Sequence, residues 1–296
     1  MKILVVHKSS TLEHYTKEKP RVPFSKLIRA KHKSVDDLCQ AHCEHVSGLE
    51  QVISVLKKAG LSYRVVHRDH LKKITEDLVI TVGGDGTLLR ASHFVGNQPV
   101  LGINSSPSMS VGALCTVTAN QFDSALVLGA LVKNANPTSA LSNYRTIALA
   151  RLEVLVNKKP LPVLATNDVL FTNKSPAGTT HYRIEFEGKK EDQRSSGIWV
   201  ATPCGSTAAI SAAGGKKLPY TSQDLQFVVR ELFLHPKTKP KIFSGIFNKD
   251  RSLAVTNKTM EAALFIDGTQ DVFPLQFGDE ITFRPAKTPL RVVSKL

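Results

Sequence analysis

The chain has 296 residues, 42% of them hydrophobic and 22% charged, with a formal net charge of +14. That composition supplies a sizeable core at a length suited to two domains, and it sets aside a disordered or low-complexity chain. The positive charge points to anionic partners, which are nucleic acid, anionic lipid or phosphorylated metabolites.

Lys2 to Val6 reads as a first buried strand, too short an apolar run for a signal peptide. The basic stretch from His7 to Lys33 contains Pro20 and Pro23 and little periodicity, so it reads as a long mobile loop with room for a turn of helix. Ser34 then caps a helix to about Ala59, with Gly60 as its stop. Cys39, His42 and Cys43 share one face of that helix, a spacing that could hold zinc but lacks a fourth ligand nearby and better suits cysteines packed as small hydrophobes. Leu61 to His67 alternates as a strand. Asp77 to Val82 is a β-branched run suited to a buried parallel strand. The glycine turn Gly83 to Gly86, a helix Thr87 to Phe94, a strand Pro99 to Ile103 and a helix Asn120 to Lys133 follow. This alternation predicts an α/β N-terminal domain over residues 1–140. Beyond it, Arg145 to Val156, Leu161 to Thr172, Thr180 to Glu187, Gly197 to Ala201, Ala262 to Ile266 and Glu280 to Pro285 read as strands. Asn157 to Pro160, Gly188 to Lys190 and Phe277 to Asp279 read as the turns between them, which predicts a β-rich C-terminal domain over 141–296.

With Cys115 and Cys204 the chain has four cysteines, too few and too scattered for a disulfide framework. No apolar stretch is long enough to span a bilayer. The expectation is a cytoplasmic protein.

The strongest local signal is Thr81-Val82-Gly83-Gly84-Asp85-Gly86-Thr87. Glycines beyond the carboxyl end of a strand let backbone amides approach phosphate oxygens, and a helix N-terminus behind them adds to the anion site. Asp85 would repel phosphate there. It fits if it faces an incoming hydroxyl and takes its proton during phosphoryl transfer, or helps hold Mg²⁺. The same residues also fit a tight turn in which Asp85 caps the next helix. The run is neither a Walker A loop nor the dinucleotide fingerprint. Asn167 beside Asp168 offers donors and acceptors for ribose hydroxyls and an adenine edge, or satisfies a turn. Gly205-Ser206-Thr207, followed by small residues, lets backbone and hydroxyls reach a flat ring or a diphosphate, or packs a helix on a sheet.

Gly83 to Thr87 resembles the signature of a kinase superfamily that includes NAD kinases, diacylglycerol and sphingosine kinases and, more distantly, phosphofructokinases. Two further segments narrow it. Asn167-Asp168 is similar to the Asn-Glu or Asn-Asp motif of NAD kinases. Arg194 to Ile210, closed by Ala212-Ala213-Gly214-Gly215, resembles their Arg-Gly-Asp-Gly, strand, Thr-Pro-Thr-Gly-Ser-Thr-Ala-Tyr and Ser-Ala-Gly-Gly segment. Gly102-Ile103-Asn104 with Val111 to Cys115, Ile266-Asp267-Gly268 and Gly278-Asp279 match further family elements. The resemblance covers about residues 78 to 282.

The resemblance implies a two-domain NAD kinase-like fold with the active site in the cleft between domains. It implies transfer of the ATP γ-phosphoryl group to the adenosine-ribose 2′-hydroxyl of NAD or NADH, with Mg²⁺ or another divalent cation. Asp85 matches the catalytic base. Gly83, Gly84, Gly86 and Thr87 match the ATP phosphate loop, and Arg90 a position that contacts dinucleotide or ATP. Asn167 and Asp168 match the pair that holds the substrate. Arg194, Thr207 and Ala208 match positions lining the dinucleotide site, to which a neighbouring subunit of a dimer or tetramer can contribute. Two positions depart: Ser196 stands where most of the family has Asp, and Ala209 where it has Tyr. Arg194-Ser195-Ser196-Gly197 and the run Asp224 to Glu231 look more like the plant-type NADH kinase branch. The rivals are a diacylglycerol-type lipid kinase, which should lack the Gly-Ser-Thr-Ala segment, and a basic nucleic-acid-binding protein. The donor could also be polyphosphate. His93, on the helix after the glycine turn, could face the site or pack.

Overall fold

Short β-branched runs alternate with helical segments through the first half of the chain, and they fold into one sheet whose central strands are parallel. The computed structural model describes residues 2–18, 22–129, 144–234 and 240–295. The chain divides into two compact units, residues 1–147 together with 291–296, and residues 148–290. The first unit carries strands β1 (Lys2–His7), β2 (Ser62–His67), β3 (Leu78–Gly83), β4 (Val100–Asn104), β5 (Val117–Thr118) and β6 (Tyr144–Leu149), and the last strand of the chain, β19 (Leu290–Lys295). Their order is β2-β1-β3-β4-β19-β6, with β5 also on β4. Every residue of β3 and β4 is buried, as a sheet covered on both faces requires. Val52 and Leu56 of the long helix pack onto Ile3, Val5, Ile80 and Leu101.

The segment after β1 differs from the expected loop. Ser10 caps a short helix α1 (Thr11–Glu13) through a capping box with Glu13, a π-helical turn covers His14–Glu18, and α2 spans Val22–Arg29. Pro23 does not prevent α2, because the first turn of a helix needs no N–H from it. The Tyr15 and Phe24 rings meet edge to face at 5.4 Å. Ser34 is not the cap of the long helix α3 (Asp36–Lys58): Val35 holds that position, and Ser34 lies in the 3₁₀ turn before it. The helix after the glycine turn, α4 (Asp85–Ser92), starts two residues earlier than expected. The expected helix from Asn120 is a 3₁₀ turn (Ala119–Gln121) and then α5 (Ser124–Gly129); its end at Lys133 lies outside the described residues.

The second unit is a sandwich of two antiparallel six-stranded sheets. One contains β7 (Leu152–Val156), β8 (Lys159–Pro160), β10 (Thr180–Phe186), β11 (Lys189–Ser195), β15 (Leu253–Asn257) and β18 (Glu280–Pro285). The other contains β9 (Asp168–Asn173), β12 (Ile198–Ala201), β13 (Leu225–Val229), β14 (Ser244–Phe247), β16 (Ala262–Ile266) and β17 (Asp271–Leu275). Their inner faces share one core in which Phe171, Tyr182, Phe227 and Phe283 are wholly buried. Four expectations change here: Lys159–Pro160, expected within a turn, is the short strand β8. Arg145 to Val156 is two strands, because Arg151 turns inward between β6 and β7, where its Nε donates to Thr288 O at 2.9 Å. Leu161 to Thr172 is a strand only from Asp168, and Lys189 opens β11 instead of closing a turn.

Candidate active site

In the first unit the carboxyl ends of four strands lie side by side. His7 is in register with His67 on one side and Val82 on the other, and Gly83 with Asn104. Chain order runs outward from β1 to β2, then resumes at β3 on the opposite side of β1. Such a switch point leaves a crevice where open α/β sheets bind ligands.

Helix α4 starts at that edge, with Gly84 as an extended N-cap and Asp85 as the first helical residue. Gly83 has no room for a side chain, since a Cβ there would lie 2.2 Å from Thr87 Oγ1. Gly86 is different. The nearest atom to an added Cβ is Arg68 Nη1 at 4.0 Å, so the first turn presents bare backbone. Thr87 is buried, with its N–H on Gly84 O at 2.9 Å and its hydroxyl turned toward Gly83. Arg90 lays its guanidinium over the Phe94 ring at 5.0 Å, and His93 is the C-cap of α4.

The Asp85 carboxylate is anchored. Its Oδ2 accepts from Ala113 N–H at 3.0 Å and its Oδ1 from Leu114 N–H at 2.8 Å. A closed turn places those amides: Asn104 Nδ2 donates to Ser110 O at 2.9 Å, and Asn104 Oδ1 accepts from Ser106 N–H at 3.1 Å. Gly112 takes φ +61°, and a Cβ there would lie 2.5 Å from Asn104 Nδ2. The Gly-x-Asn and Val-Gly-Ala-Leu-Cys elements thus serve to hold Asp85. The adjacent Cys115 thiol is pushed up to about 12 by burial and, secondarily, by the Asp85 charge.

His45, missed at the level of sequence, ties this edge together from α3. Its Nε2 lies 2.7 Å from Lys8 O and its Nδ1 2.7 Å from Ser105 Oγ. A carbonyl only accepts, so Nε2 carries the proton, and Nδ1 of the neutral ring accepts from the Ser105 hydroxyl. Burial, ahead of the neighbouring charges, pushes its pKa down to about 4. On the same helix His42 Nδ1 lies 2.9 Å from Ser10 Oγ, Cys39 is half-buried and Cys43 is exposed.

In the second unit Asp267, at φ +49° before Gly268, turns its carboxylate onto the chain entering β9. Its Oδ2 accepts from Thr166 N–H at 2.8 Å, and its Oδ1 from Asn167 and Asp168 N–H at 2.7 and 3.0 Å. Asp168 is buried, and burial, then the nearby Asp267, raises its pKa to about 7. Thr202 joins the cluster, with its N–H on Asn167 O at 2.9 Å and its hydroxyl on Thr166 O. Gly205 seats directly on Asn167, where a Cβ would lie 2.2 Å from Asn167 O. The 3₁₀ turn Gly205–Thr207 and α6 (Ala209–Ala212) follow, with Thr207 and Ala209 exposed and Ala208 half-buried.

Arg194 and Ser196 are elsewhere. Ala201 pairs with Asp168 at one end of β12 and Ile198 with Phe171 at the other. Arg194 and Ser196 lie beyond Ile198, so at about 3.3 Å per residue they are on the order of 10 Å or more from Asp168. Ser196 lines a cavity of about 530 Å³ with Ser195, Thr179, Leu232 and Phe233, and its carbonyl accepts from Thr172 Oγ1 at 3.0 Å.

Residues 25–129 match the model of the ATP-NAD kinase N-terminal domain, and residues 145–295 that of the ATP-NAD kinase C-terminal domain. The chain is 32% identical to a probable NADH kinase of Oryza sativa subsp. japonica, over 88% of this chain and 83% of that protein. It is 31% identical to an NADH kinase of Arabidopsis thaliana, over 85% and 84%. Among solved structures it resembles an NAD kinase from Archaeoglobus fulgidus in complex with ATP, with a TM-score of 0.63 and 20% identity over 100% of this chain and 94% of that one. It also resembles yeast NADH kinase complexed with NADH, with a TM-score of 0.67 and 17% identity over 100% and 84%.

Proposed function

This chain belongs to the ATP-NAD kinase family, and on that footing we propose that it transfers the ATP γ-phosphoryl group to the 2′-hydroxyl of the adenosine ribose of NAD or NADH. The carrying observation is Asp85, fixed by two amides beside the bare first turn of α4 at the switch point of the sheet. Each Asp85 oxygen accepts one amide and keeps a lone pair. Asp85 takes the 2′-hydroxyl proton as that oxygen bonds to the γ-phosphorus; the bond to the bridging oxygen breaks and ADP leaves. The amides around Gly83, Gly84 and Gly86 receive the phosphates, with Arg90 nearby. Mg²⁺ or a similar cation would neutralise phosphate charge when bound; Mg²⁺ is commonly held by substrate phosphates with one or two carboxylates, and Asp85 is the carboxylate of this turn that would join them.

Asn167 and Asp168 hold the ribose and adenine in the second unit, with Thr207, Ala208 and Ala209 lining the exposed side. We place the phosphate-binding role in the first unit and the dinucleotide-binding role in the second. Arg194 and Ser196, distant from Asp168 within one chain, act in a neighbouring copy's site, so the working form is a homo-oligomer. No described helix is long and apolar enough to cross a membrane, and the four cysteines are free; the cytoplasm is the compartment we assign. Incubation with ATP, Mg²⁺ and NAD or NADH, followed by chromatography, tests the reaction. The expected result is a 2′-phosphorylated dinucleotide; its absence with both acceptors overturns the reading.

A further inference from the structure

Two cations meet at the switch point with no anion between them. Lys8 follows β1 directly and Arg68 follows β2 directly, one step beyond the His7–His67 register pair. Lys8 is half-buried, and no carboxylate among the described residues forms an ion pair with it. Burial lowers its pKa, and the Arg68 charge lowers it further, so the two cations lie close enough to repel. The Arg68 side chain is about three-quarters covered, and its Nε is buried with no hydrogen-bond partner. Asp69 does not discharge it: Asp69 Oδ1 is 3.7 Å from that Nε, beyond hydrogen-bonding reach, and the Asp69 carboxylate is half exposed and shared with His67. The Arg68 fork ends 4.0 Å from the open position over Gly86.

Desolvating two like charges side by side is costly unless a stronger anion sits against them. We infer that Lys8 and Arg68 bind the polyphosphate of the phosphoryl donor as it lies along the bare turn of α4. Arg68 takes two phosphate oxygens through its planar fork, and Lys8 acts as a point charge from the other side. His45 is the positioning residue for Lys8, because it holds the Lys8 carbonyl. This assignment rests on the kinase reading above and names the donor half of that site.

The test uses the full-length protein and the variants Lys8→Met, Arg68→Gln and Arg68→Lys. Calorimetry with inorganic tripolyphosphate and with ATP–Mg²⁺ gives donor affinity, and titration with NAD in the absence of donor gives acceptor affinity. Lys8→Met and Arg68→Gln should each weaken tripolyphosphate and ATP about tenfold or more. Arg68→Lys should recover only part of the loss, because it keeps the charge without the fork. NAD affinity should stay within about twofold, and thermal stability should hold or rise as the repulsion is relieved. Unchanged tripolyphosphate affinity in both variants overturns the proposal, as does a loss confined to NAD, which would assign the cations to the acceptor. If the parent forms no phosphorylated dinucleotide but binds tripolyphosphate through these residues, the kinase reading fails while the polyphosphate site stands.

Discussion

As the base we propose, Asp85 must stay rigid and yet exchange a proton. The Ala113 and Leu114 amides supply the rigidity, and the unused lone pairs remain for the hydroxyl. In Asp85→Asn the side-chain oxygen keeps one amide and the NH₂ group faces the other, a loss of about 1 kcal/mol that the fold survives. Turnover should fall about 10²-fold or more. Steady-state kinetics beside a thermal melt will tell, and a folded variant with near-normal turnover removes Asp85 as the base. Asp168 carries a different burden. Its pKa of about 7 lies above the ordinary 3.8, so its contribution to stability is full below the lower value and lost as pH rises through the higher one. Asp168→Asn should therefore melt higher than the parent at pH 8, by more than at pH 4, while its KM for the dinucleotide rises. A variant no more stable than the parent at pH 8 contradicts this origin of the shift. On the proposal that Ser196 lines the nicotinamide end of a dinucleotide site, it withholds the fixed negative charge of the usual Asp, which would favour the cationic ring of NAD over neutral NADH. We expect NADH to be used at least comparably to NAD, and Ser196→Asp to move the kcat/KM ratio toward NAD; a parent strongly selective for NAD sinks the idea.

At the level of elements, what could be read from the sequence was what is local. β3 and β4 announced themselves as β-branched runs, and the glycines marked the turn where α4 begins. The Ser10–Glu13 capping box was also local and legible, but charge and prolines outweighed it and hid two helices. The break at Arg151 could not be read, because its partner carbonyl, Thr288, is 137 residues away. The anchors of Asp85 lie 28 and 29 residues along the chain, Lys8 and Arg68 come together only through sheet order, and His45 reaches Lys8 from α3. The His45 link makes α3 an acid-sensitive brace. A folded pKa of about 4 against 6.5 unfolded means its stabilisation is full above pH 6.5 and is lost as pH falls toward 4, on the order of 3 kcal/mol in all. Amide exchange along α3 should accelerate over that interval, and His45→Gln, which keeps a donor and an acceptor, should flatten the response. Exchange in the parent that is indifferent to pH there, after correction for intrinsic rates, would dismiss the brace.

At the scale of the whole molecule, the chain's last strand belongs to its first unit. β19 lies between β4 and β6, so it is interior to the sheet. Deleting residues 290–296 should unfold the first unit and abolish donor binding, while the second-unit sandwich keeps its own melt, followed by Trp199, the single tryptophan of the chain. Loss of both transitions together would mean that the second unit does not stand alone. The same placement makes closure of the first unit a long-range event, because β19 meets β4 at Val292 and Val100, 192 residues apart in the chain. Each doubling of a closing loop costs only about 0.6 kcal/mol, so the separation slows the docking of β19 more than it weakens it. The sandwich draws all its strands from Leu152 to Pro285. The unit holding Asp85 is thus the slower of the two to close, and until β19 docks it leaves an open, apolar sheet edge beside β4, a substrate for chaperones and proteases.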